Sequence, residues 1–223
     1  MKKHILLVDK IKLRDKKICI IGTGGFGRET LCCLIDVLQG TGINVADVAC
    51  IMVTDNNEHT GKIMGVDIIS FDEFNPKFYD VVVAIGVSAT RKKVVESLPV
   101  DTTYATIIHP SAIISDWVTI GEGSIVTAGV IITCNVIIGK HAQLNLGTTI
   151  GHDCNAGDYF TTSPATNISG DCKFGDNVFI GTNGSIKQGV KICDNVTIGM
   201  GGVVTKHIIE PGTYVGLPAK KCN

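Results

Sequence analysis

The sequence lacks the charge balance of a nucleic-acid-binding protein. Its 223 residues include 20 basic and 21 acidic side chains, for a formal net charge of −1. No run of three or more basic residues occurs apart from Arg91–Lys93. Binding to nucleic acid or to an anionic membrane surface usually requires a concentrated positive patch. The composition therefore predicts no nucleic-acid partner and no membrane partner.

Long apolar runs, a secretory leader and paired cysteines are also missing. The mean hydropathy is +0.30, yet no apolar stretch approaches the roughly 20 residues of a membrane-spanning helix. The apolar run after Met1–His4 ends at Asp9, which is too short for a signal peptide. The nine cysteines contain no C-x-x-C pair, so neither a zinc ribbon nor another metal site is indicated. We expect reduced thiols and a cytoplasmic protein.

What the sequence does contain is a six-residue repeat from Pro110 to Thr205, which is 96 residues or 16 hexads without an insertion. The fifth position of a hexad is large and apolar except at Ala156 and Thr162, and the third is small or β-branched except at Phe160. This period fits neither an α-helix nor a simple hairpin. It is typical of a parallel β-helix. Three hexads form a coil, and coils stack about 4.8 Å apart, so residues 18 apart become neighbours.

The residues before the repeat have the pattern of half a doubly wound nucleotide-binding fold. We predict, in order, a strand at 16–21, a helix at 28–38, strands at 48–53 and 79–85, a helix at 89–98 and a strand at 102–108. The first strand leads into Gly22-Thr-Gly-Gly-Phe-Gly27, a G-x-G-x-x-G turn. Such a turn brings backbone N–H groups and a helix N-terminus to a phosphate, although it can also serve only as a tight turn. Asp55 follows the second strand, where an acid commonly reaches a ribose hydroxyl.

Inside the repeat, His152 and Asp153 are the strongest candidates for chemistry. A neutral imidazole at a corner can accept a proton, and a neighbouring carboxylate can hold its tautomer. Gly170 lies 18 residues after His152, where its backbone N–H could stabilise the oxygen of an acyl thioester. Asn145 is a polar residue near the preceding corner and is placed to position an acceptor. The alternative is a surface histidine with no role.

Several of these features together resemble one family. They are the uninterrupted hexads, Leu144–Asn145, Gly151–Cys154, Gly170, Val215–Lys220, Gly22–Gly27, and Ala84–Gly86 with Arg91–Lys93. This combination is similar to that of the bacterial nucleotide-linked amino-sugar N-acetyltransferases, which group with the sialic acid O-acetyltransferases. The resemblance extends over nearly the whole chain.

The resemblance implies an α/β Rossmann-like half domain over 1–108, followed by an all-β left-handed parallel β-helix over 109–223. It implies a homotrimer with acetyl-CoA in the groove between two β-helices and a nucleotide-linked amino sugar bound by the front domain. His152 would be the general base, with Asp153 orienting it, Asn145 contacting the acceptor and the Gly170 amide facing the thioester. Implied acetyl-CoA contacts are Gly170, Thr182, Gly199, Gly216, Pro218 and Lys220. Implied nucleotide-sugar contacts are Gly22, Gly24, Gly25, Asp55, Gly86 and Arg91.

Three other functions are weighed against N-acetylation of a nucleotide-linked 4-amino-4,6-dideoxy sugar. O-acetylation of sialic acid or of another sugar hydroxyl shares the same base and differs only in the acceptor. A γ-class carbonic anhydrase needs three converging histidines, whereas His141 and His152 are 11 residues apart and do not share a column. An NAD-dependent oxidoreductase would need a hydride-transfer site that the repeat does not supply.

Overall fold

The computed structural model describes residues 16–53 and 61–222. The chain divides into two compact units, one up to Pro110 and the other from Ser111 onward. The first unit is an α/β domain and the second is a parallel β-helix, which confirms the fold class expected from the sequence. Asp55, the expected ribose ligand, lies outside the described residues.

A largely parallel sheet forms the centre of the first unit. Its strands are β1 (Lys17–Ile21), β2 (Ala49–Met52), β3 (Lys62–Ile63), β4 (Val66–Ile69), β5 (Tyr79–Val83) and β6 (Thr103–Tyr104). Their order is β3-β4-β2-β1-β5-β6, and β3 and β4 pair antiparallel whereas the others pair parallel. The central strands β1 and β5 are buried at almost every position. Near-continuous apolar runs are expected for strands that are covered on both faces.

The helices of this unit are α1 (Gly25–Leu38), α2 (Val45–Val48) and α3 (Ser88–Ser97). In α1 the buried residues include Leu31, Leu34 and Leu38, whose spacing of three and four residues defines a single face. The short strand β7 (Ile107–Ile108) also contacts α1. The helix begins three residues earlier than the sequence pattern indicated, inside the glycine turn.

Two glycines of that turn are required by the backbone. Gly22 has a φ of +120°, a conformation that residues with a side chain rarely adopt. A Cβ atom added to Gly27 would lie 1.9 Å from the Gly22 carbonyl oxygen. Glycine at both positions therefore lets the first turn of α1 pack directly against the end of β1.

The second unit is a stack of coils with three flat faces. The first face contains β8 (Ile113–Ile114), β11 (Ile131–Ile132), β14 (Thr149–Ile150), β17 (Asn167–Ile168), β20 (Ser185–Ile186) and β23 (Val203–Val204). The second contains β9 (Thr119–Ile120), β12 (Ile137–Ile138), β15 (Asn155–Ala156), β18 (Lys173–Phe174) and β21 (Lys191–Ile192). The third contains β10 (Ile125–Val126), β13 (Gln143–Leu144), β16 (Thr161–Thr162), β19 (Phe179–Ile180), β22 (Val196–Ile198), β24 (Gly212–Val215) and β25 (Lys220–Lys221).

The register of these faces confirms the expected coil length. Parallel pairs join residues 18 apart, such as Ile132 with Ile150 on the first face and Phe174 with Ile192 on the second. The regular register ends near the C-terminus, where Ile198 pairs with Tyr214 and β25 turns back antiparallel to β24. Because each coil repeats the same three corners, the corner residues form three continuous edges.

We name the edges by a characteristic residue. The histidine edge consists of residues 115–118, 133–136, 151–154, 169–172, 187–190 and 205–208. The asparagine edge consists of residues 127–130, 145–148, 163–166, 181–184 and 199–202. The aspartate edge consists of residues 121–124, 139–142, 157–160, 175–178 and 193–195.

The residues that depart from the apolar pattern are accommodated inside the coil. Thr162 is fully buried, and its hydroxyl lies 2.8 Å from the hydroxyl of Thr148, so each polar group has a partner. Phe160 is also fully buried, with its ring centroid 5.0 Å from that of Phe174. The large Phe160 and the small Ala156 belong to the same coil, so their departures from the average volume offset each other.

Stacked aspartates reinforce the aspartate edge. The side chain of Asp176 accepts a hydrogen bond of 2.8 Å from the backbone N–H of Asp158, and Asp194 accepts one of 2.9 Å from Asp176. A Cβ added to Gly157 would lie 2.2 Å from the Asp176 carboxylate oxygen. Gly139, Gly157 and Gly175 therefore each leave room for the carboxylate of the aspartate in the following coil.

Candidate functional site

The imidazole of His152 lies on the histidine edge directly after β14. Its Nδ1 atom is 2.7 Å from Oδ2 of Asp153. Because an ionised carboxylate can only accept a hydrogen bond, Nδ1 carries the proton and Nε2 is left as the basic nitrogen. Slightly more than half of each side chain is exposed, 53% for His152 and 52% for Asp153. The basic nitrogen is thus accessible to a ligand.

The backbone conformation of Asp153 allows its carboxylate to contact the ring of the preceding residue, His152. Its φ is +61°, in the left-handed region that aspartate and asparagine tolerate better than most residues. The carboxylate accepts hydrogen bonds from His152 and, at 3.1 Å, from the side-chain amide of Asn135. The hydrogen bond with His152, followed by that with Asn135, lowers the pKa of the Asp153 carboxyl below its ordinary value. Asp153 therefore stays ionised wherever His152 could act as a base.

Gly170 lies beside the His152 ring in the next coil. A Cβ added to Gly170 would lie 2.6 Å from Nε2 and from Cε1 of His152. Any residue larger than glycine would displace the ring. Within residues 16–53 and 61–222, the backbone N–H of Gly170 forms no hydrogen bond with another group. The structure thus brings together three of the predicted catalytic residues, His152, Asp153 and Gly170.

The fourth predicted catalytic residue, Asn145, lies elsewhere in the coil. It is on the asparagine edge, separated from His152 by the whole of β14, and its side-chain amide donates a 2.8 Å hydrogen bond to the carbonyl of Thr162. Thr182 and Gly199 are on the same edge, two and three coils further along. Gly216, Pro218 and Lys220 follow or lie within the terminal strands and are exposed. Within one chain, the expected acetyl-CoA contacts are therefore divided between two edges.

A cavity on the histidine edge was not anticipated from the sequence. It has a volume of about 560 Å³ and lies two to three coils beyond His152. Its lining residues are Lys187, Gln188, Gly189, Val190, Thr205, Lys206, His207 and Ile209. The signal was present in the sequence, because Gln188 and Lys206 continue the 18-residue column of His152. Two lysines give this cavity a positive character that suits an anionic ligand.

The glycine turn of the first unit lies beside the loop after β5. A Cβ on Gly22 would lie 2.9 Å from the Ala84 carbonyl oxygen, so the two loops are in direct contact. Gly24 and Gly25 cap and begin α1, and both face open space, as does Gly86. The backbone at this edge of the sheet can therefore approach a ligand closely, and the N-terminus of α1 favours an anion there.

Arg91 is placed differently from a ligand-binding arginine. It is fully buried, and its guanidinium donates a 2.7 Å hydrogen bond to the Ile85 carbonyl and a 3.4 Å hydrogen bond to that of Gly86. A buried guanidinium that donates to two successive carbonyls fixes the backbone of the loop after β5. The geometry favours a loop-positioning role for Arg91 over the direct ligand contact that the resemblance implied.

The histidine edge contains two buried cysteines, Cys154 and Cys172. Cys154 and Cys172 stack as expected, with the Cys172 backbone N–H 3.4 Å from the Cys154 sulfur. The hydrogen bond with Cys172, and then burial, raise the pKa of the Cys154 thiol far above its ordinary value. A thiol that is buried and protonated is a poor nucleophile.

Over residues 16–53 and 61–222, no group of three histidine, cysteine, aspartate or glutamate side chains is arranged to bind a metal ion. In the same ranges, no helix has the length and apolar character needed to cross a membrane.

Each unit matches the model of a known family. Residues 17–98 match the model of the PglD N-terminal domain, and residues 112–134 and 173–206 match that of the hexapeptide repeat of succinyl-transferase. No protein of curated function matches the chain.

Three solved structures are similar over nearly the whole chain. WeeI from Acinetobacter baumannii AYE has a TM-score of 0.83 at 28% identity and covers 93% of this chain and 100% of its own. PerB from Caulobacter crescentus, in complex with CoA and GDP-perosamine, has a TM-score of 0.81 at 28% identity and covers 94% and 99%. The acetyltransferase domain of PglB from Neisseria gonorrhoeae FA1090 has a TM-score of 0.82 at 25% identity and covers 93% and 100%.

The fold and these similarities define a hexapeptide-repeat acyltransferase. The PglD-type domain ahead of the repeat restricts the similarity to acyltransferases that carry such an N-terminal domain. The chain is similar in sequence and fold to the acetyltransferase domain of PglB, to PerB and to WeeI.

Proposed function

We propose that this protein transfers the acetyl group of acetyl-CoA to the amino group of a nucleotide-linked 4-amino-4,6-dideoxy sugar. The observation that carries the proposal is the His152–Asp153 pair, with its basic Nε2 beside Gly170 and exposed to solvent. The similar PerB has been crystallised with CoA and GDP-perosamine, and a PglB domain with acetyl coenzyme A.

The proposed chemistry is a direct transfer. The acceptor amine attacks the thioester carbon, forming the new N–C bond, while Nε2 of His152 takes the proton that the nitrogen loses. The Asp153 carboxylate accepts a hydrogen bond from the Nδ1–H of His152 and stabilises the imidazolium that forms. The Gly170 N–H faces the oxyanion of the tetrahedral intermediate. The C–S bond then breaks, and the proton passes from His152 to the departing CoA thiolate.

The lysine-lined cavity supports an extended position for acetyl-CoA along the histidine edge. Lys187 and Lys206 lie two and three coils beyond the catalytic corner, or about 10 and 14 Å at about 4.8 Å per coil. The arm between the CoA sulfur and its diphosphate extends roughly 15 Å, estimated from the rise of an extended backbone. A thioester at His152 would therefore place the diphosphate near these two lysines.

The division of the expected contacts between two edges supports a homotrimer. Thr182 and Gly199 on the asparagine edge can contact the same acetyl-CoA as His152 if the histidine edge of one copy faces the asparagine edge of the next. Asn145 would then reach the acceptor from the neighbouring copy. Closed rings of identical subunits use such a heterologous contact.

The first unit is proposed to hold the nucleotide. Gly24 and Gly25 leave space beside the N-terminus of α1 for a diphosphate, and the positive φ of Gly22 shapes the turn that would bind it. Gly86 borders the same space. Arg91 fixes the loop that contains Gly86 through its hydrogen bond to the Ile85 carbonyl. Asp55 remains the proposed ribose ligand.

A thiol-release assay tests the reaction and the acceptor together. Acetyl-CoA is supplied with UDP-, GDP- and dTDP-linked 4-amino-4,6-dideoxy sugars and, as the hydroxyl acceptor, with free sialic acid. Rapid release with one amino sugar, and N-acetylated product by mass spectrometry, is the expected result. Release with sialic acid alone would reassign the enzyme to O-acetylation. No release with any acceptor, from a protein that binds CoA, would overturn the proposed acceptor class.

A further inference from the structure

We propose that Asn135 is a positioning residue for acetyl transfer, which holds the Asp153 carboxylate from the preceding coil and thereby keeps His152 in its Nδ1–H tautomer. This inference rests on the proposed function, since it concerns the same general base. No sequence motif pointed to Asn135. Its role follows from the side-chain geometry of the histidine edge.

The two oxygens of Asp153 have different partners. Oδ2 lies 2.7 Å from Nδ1 of His152, whereas Oδ1 accepts a 3.1 Å hydrogen bond from Nδ2 of Asn135. The backbone N–H of Asp153 also donates a 3.0 Å hydrogen bond to the carbonyl of Cys134. The backbone bond keeps the two corners in register, and the amide bond fixes the plane of the carboxylate.

A second anchor matters because this pair is exposed. With more than half of each side chain in contact with solvent, water competes for both the ring and the carboxylate, and an isolated exposed contact is weak. Rotation of the Asp153 carboxylate would break its hydrogen bond with Nδ1 of His152. The neutral ring could then move its proton to Nε2, the nitrogen that must accept the proton of the amine.

The chemistry of an asparagine amide suits this task. Its NH₂ group can only donate, so it binds one carboxylate oxygen without competing for the Nδ1–H of His152. The other ionisable side chains at these corners are Cys134 in the preceding coil, Cys154 in the same coil, and Asp171 and Cys172 in the following one. Asp171 lies one coil after Asp153 and Asn135 lies one coil before it. A carboxylate at position 135 would place Asp153 between two negative charges, whereas the neutral amide of Asn135 adds no repulsion.

The aspartate edge provides a matched control. Asn177 has a φ of +58°, close to the +56° of Asn135. It also donates its side-chain amide across one coil, to Oδ1 of Asn195 at 2.7 Å. Glycine accepts this backbone conformation. Asn135→Gly and Asn177→Gly therefore each remove one coil-to-coil amide contact, and only the first lies beside the proposed base.

The deciding measurement is ¹⁵N NMR of the histidine ring nitrogens in the full-length protein, with the His152 signals assigned from their loss in His152→Ala. The wild-type ring should carry its proton on Nδ1 at neutral and higher pH. In Asn135→Gly the Nε2–H form should increase, and in Asn177→Gly the ring should be unchanged. This readout does not depend on the identity of the acceptor.

Turnover gives the second readout, with acetyl-CoA and the panel sugar that the wild-type protein acetylates fastest. Asn135→Gly should lower kcat roughly tenfold, a part of what a general base supplies, and leave the KM for acetyl-CoA within about twofold. Asn135→Asp keeps the shape but replaces the donor with a negative charge. It should also lower kcat and move the acidic limb of the pH profile to higher pH, because added negative charge favours the protonated ring.

The outcomes separate this inference from the function on which it rests. A His152 ring and a kcat in Asn135→Gly that match those of Asn177→Gly would overturn the role of Asn135. If His152→Ala abolished turnover in the same experiment, the proposed function would stand without it. Normal turnover in His152→Ala would overturn His152 as the general base and, with it, the role of Asn135, whereas the acetyl transfer itself would stand.

Discussion

At the scale of the residue, the proposed chemistry depends on one ring nitrogen. Nε2 of His152 is accessible, and the ring contributes little to the core because more than half of the side chain is exposed. Removing the ring should therefore affect the reaction far more than the fold. His152→Ala is expected to lower kcat by roughly 10²–10⁴-fold, the usual contribution of a general base, with only a small decrease in the melting temperature.

CoA release and circular dichroism check this expectation. Asp116→Ala is a suitable control, since Asp116 is exposed and lies in the column of His152, two coils toward the N-terminus. A kcat for His152→Ala close to that of Asp116→Ala would show that another group acts as the base.

Asp153 provides a test that depends on pH. Its carboxyl pKa is lowered in the folded protein from an ordinary value of 3.8. A lowered pKa stabilises the folded state above that ordinary value, and the stabilisation is lost as the pH falls through the folded-state pKa. Asp153→Asn should therefore unfold at lower urea than the wild type at pH 7, and this difference should diminish toward pH 3. An equal difference at both pH values would contradict the contribution of these hydrogen bonds to the folded state.

The same residues show which parts of the site a sequence can predict. His152, Asp153 and Gly170 follow from the 18-residue column, because backbone register alone places them together. Asn135 lies 18 residues before Asp153, so the register also places it beside that residue, but its amide contact depends in addition on two left-handed corners and particular rotamers. The burial of Arg91 was also not foreseen, because an arginine in a basic run is usually exposed.

At the scale of the element, the repeat was predictable because every coil satisfies the same requirement for an inward apolar residue. The structure confirms the coil length, and the fifth positions are buried from Val126 onward. In the first unit, β1, β5 and both longer helices agree with the sequence pattern, with ends displaced by up to three residues. The short elements β3, β4 and α2 were missed. Elements of two to four residues have no periodicity, and tertiary contacts determine them.

The aspartate edge leads to a prediction about stability. In Gly157→Ala, the new Cβ would lie 2.2 Å from the Asp176 carboxylate and 2.8 Å from the Asp176 backbone nitrogen. We expect a loss of about 1–3 kcal/mol, as for other overpacked sites. Asp176→Ala should lose about 1 kcal/mol, because the hydrogen bond of the Asp158 N–H is removed.

Urea unfolding of the repeat, followed in both single variants and in the double variant, checks these values. The double variant should lose less than the sum, since the clash with the carboxylate disappears with Asp176. Asn155→Ala, on the exposed outer side of the same coil, should change little. Strict additivity would mean that the carboxylate does not determine the need for glycine at position 157.

At the scale of the whole molecule, one chain does not bring all the proposed active-site groups to one place. His152 is on the histidine edge, whereas Asn145 and Thr182 are on the asparagine edge, across β14 and its neighbours. If two copies contribute these edges to each site, two inactive variants can restore one another. His152→Ala supplies an intact asparagine edge, and Asn145→Ala supplies an intact histidine edge.

Mixing these two variants tests the shared site. After unfolding and refolding together, about a quarter of the contacts in random rings would join a wild-type His152 to a wild-type Asn145. CoA release should then recover to about that fraction of the wild-type rate, whereas each variant refolded alone should remain inactive. A mixture of His152→Ala with His152→Ala/Asn145→Ala is the control, since none of its contacts contains the base. If the first mixture stayed as inactive as this control although mass spectrometry showed mixed rings, each active site would lie within a single chain.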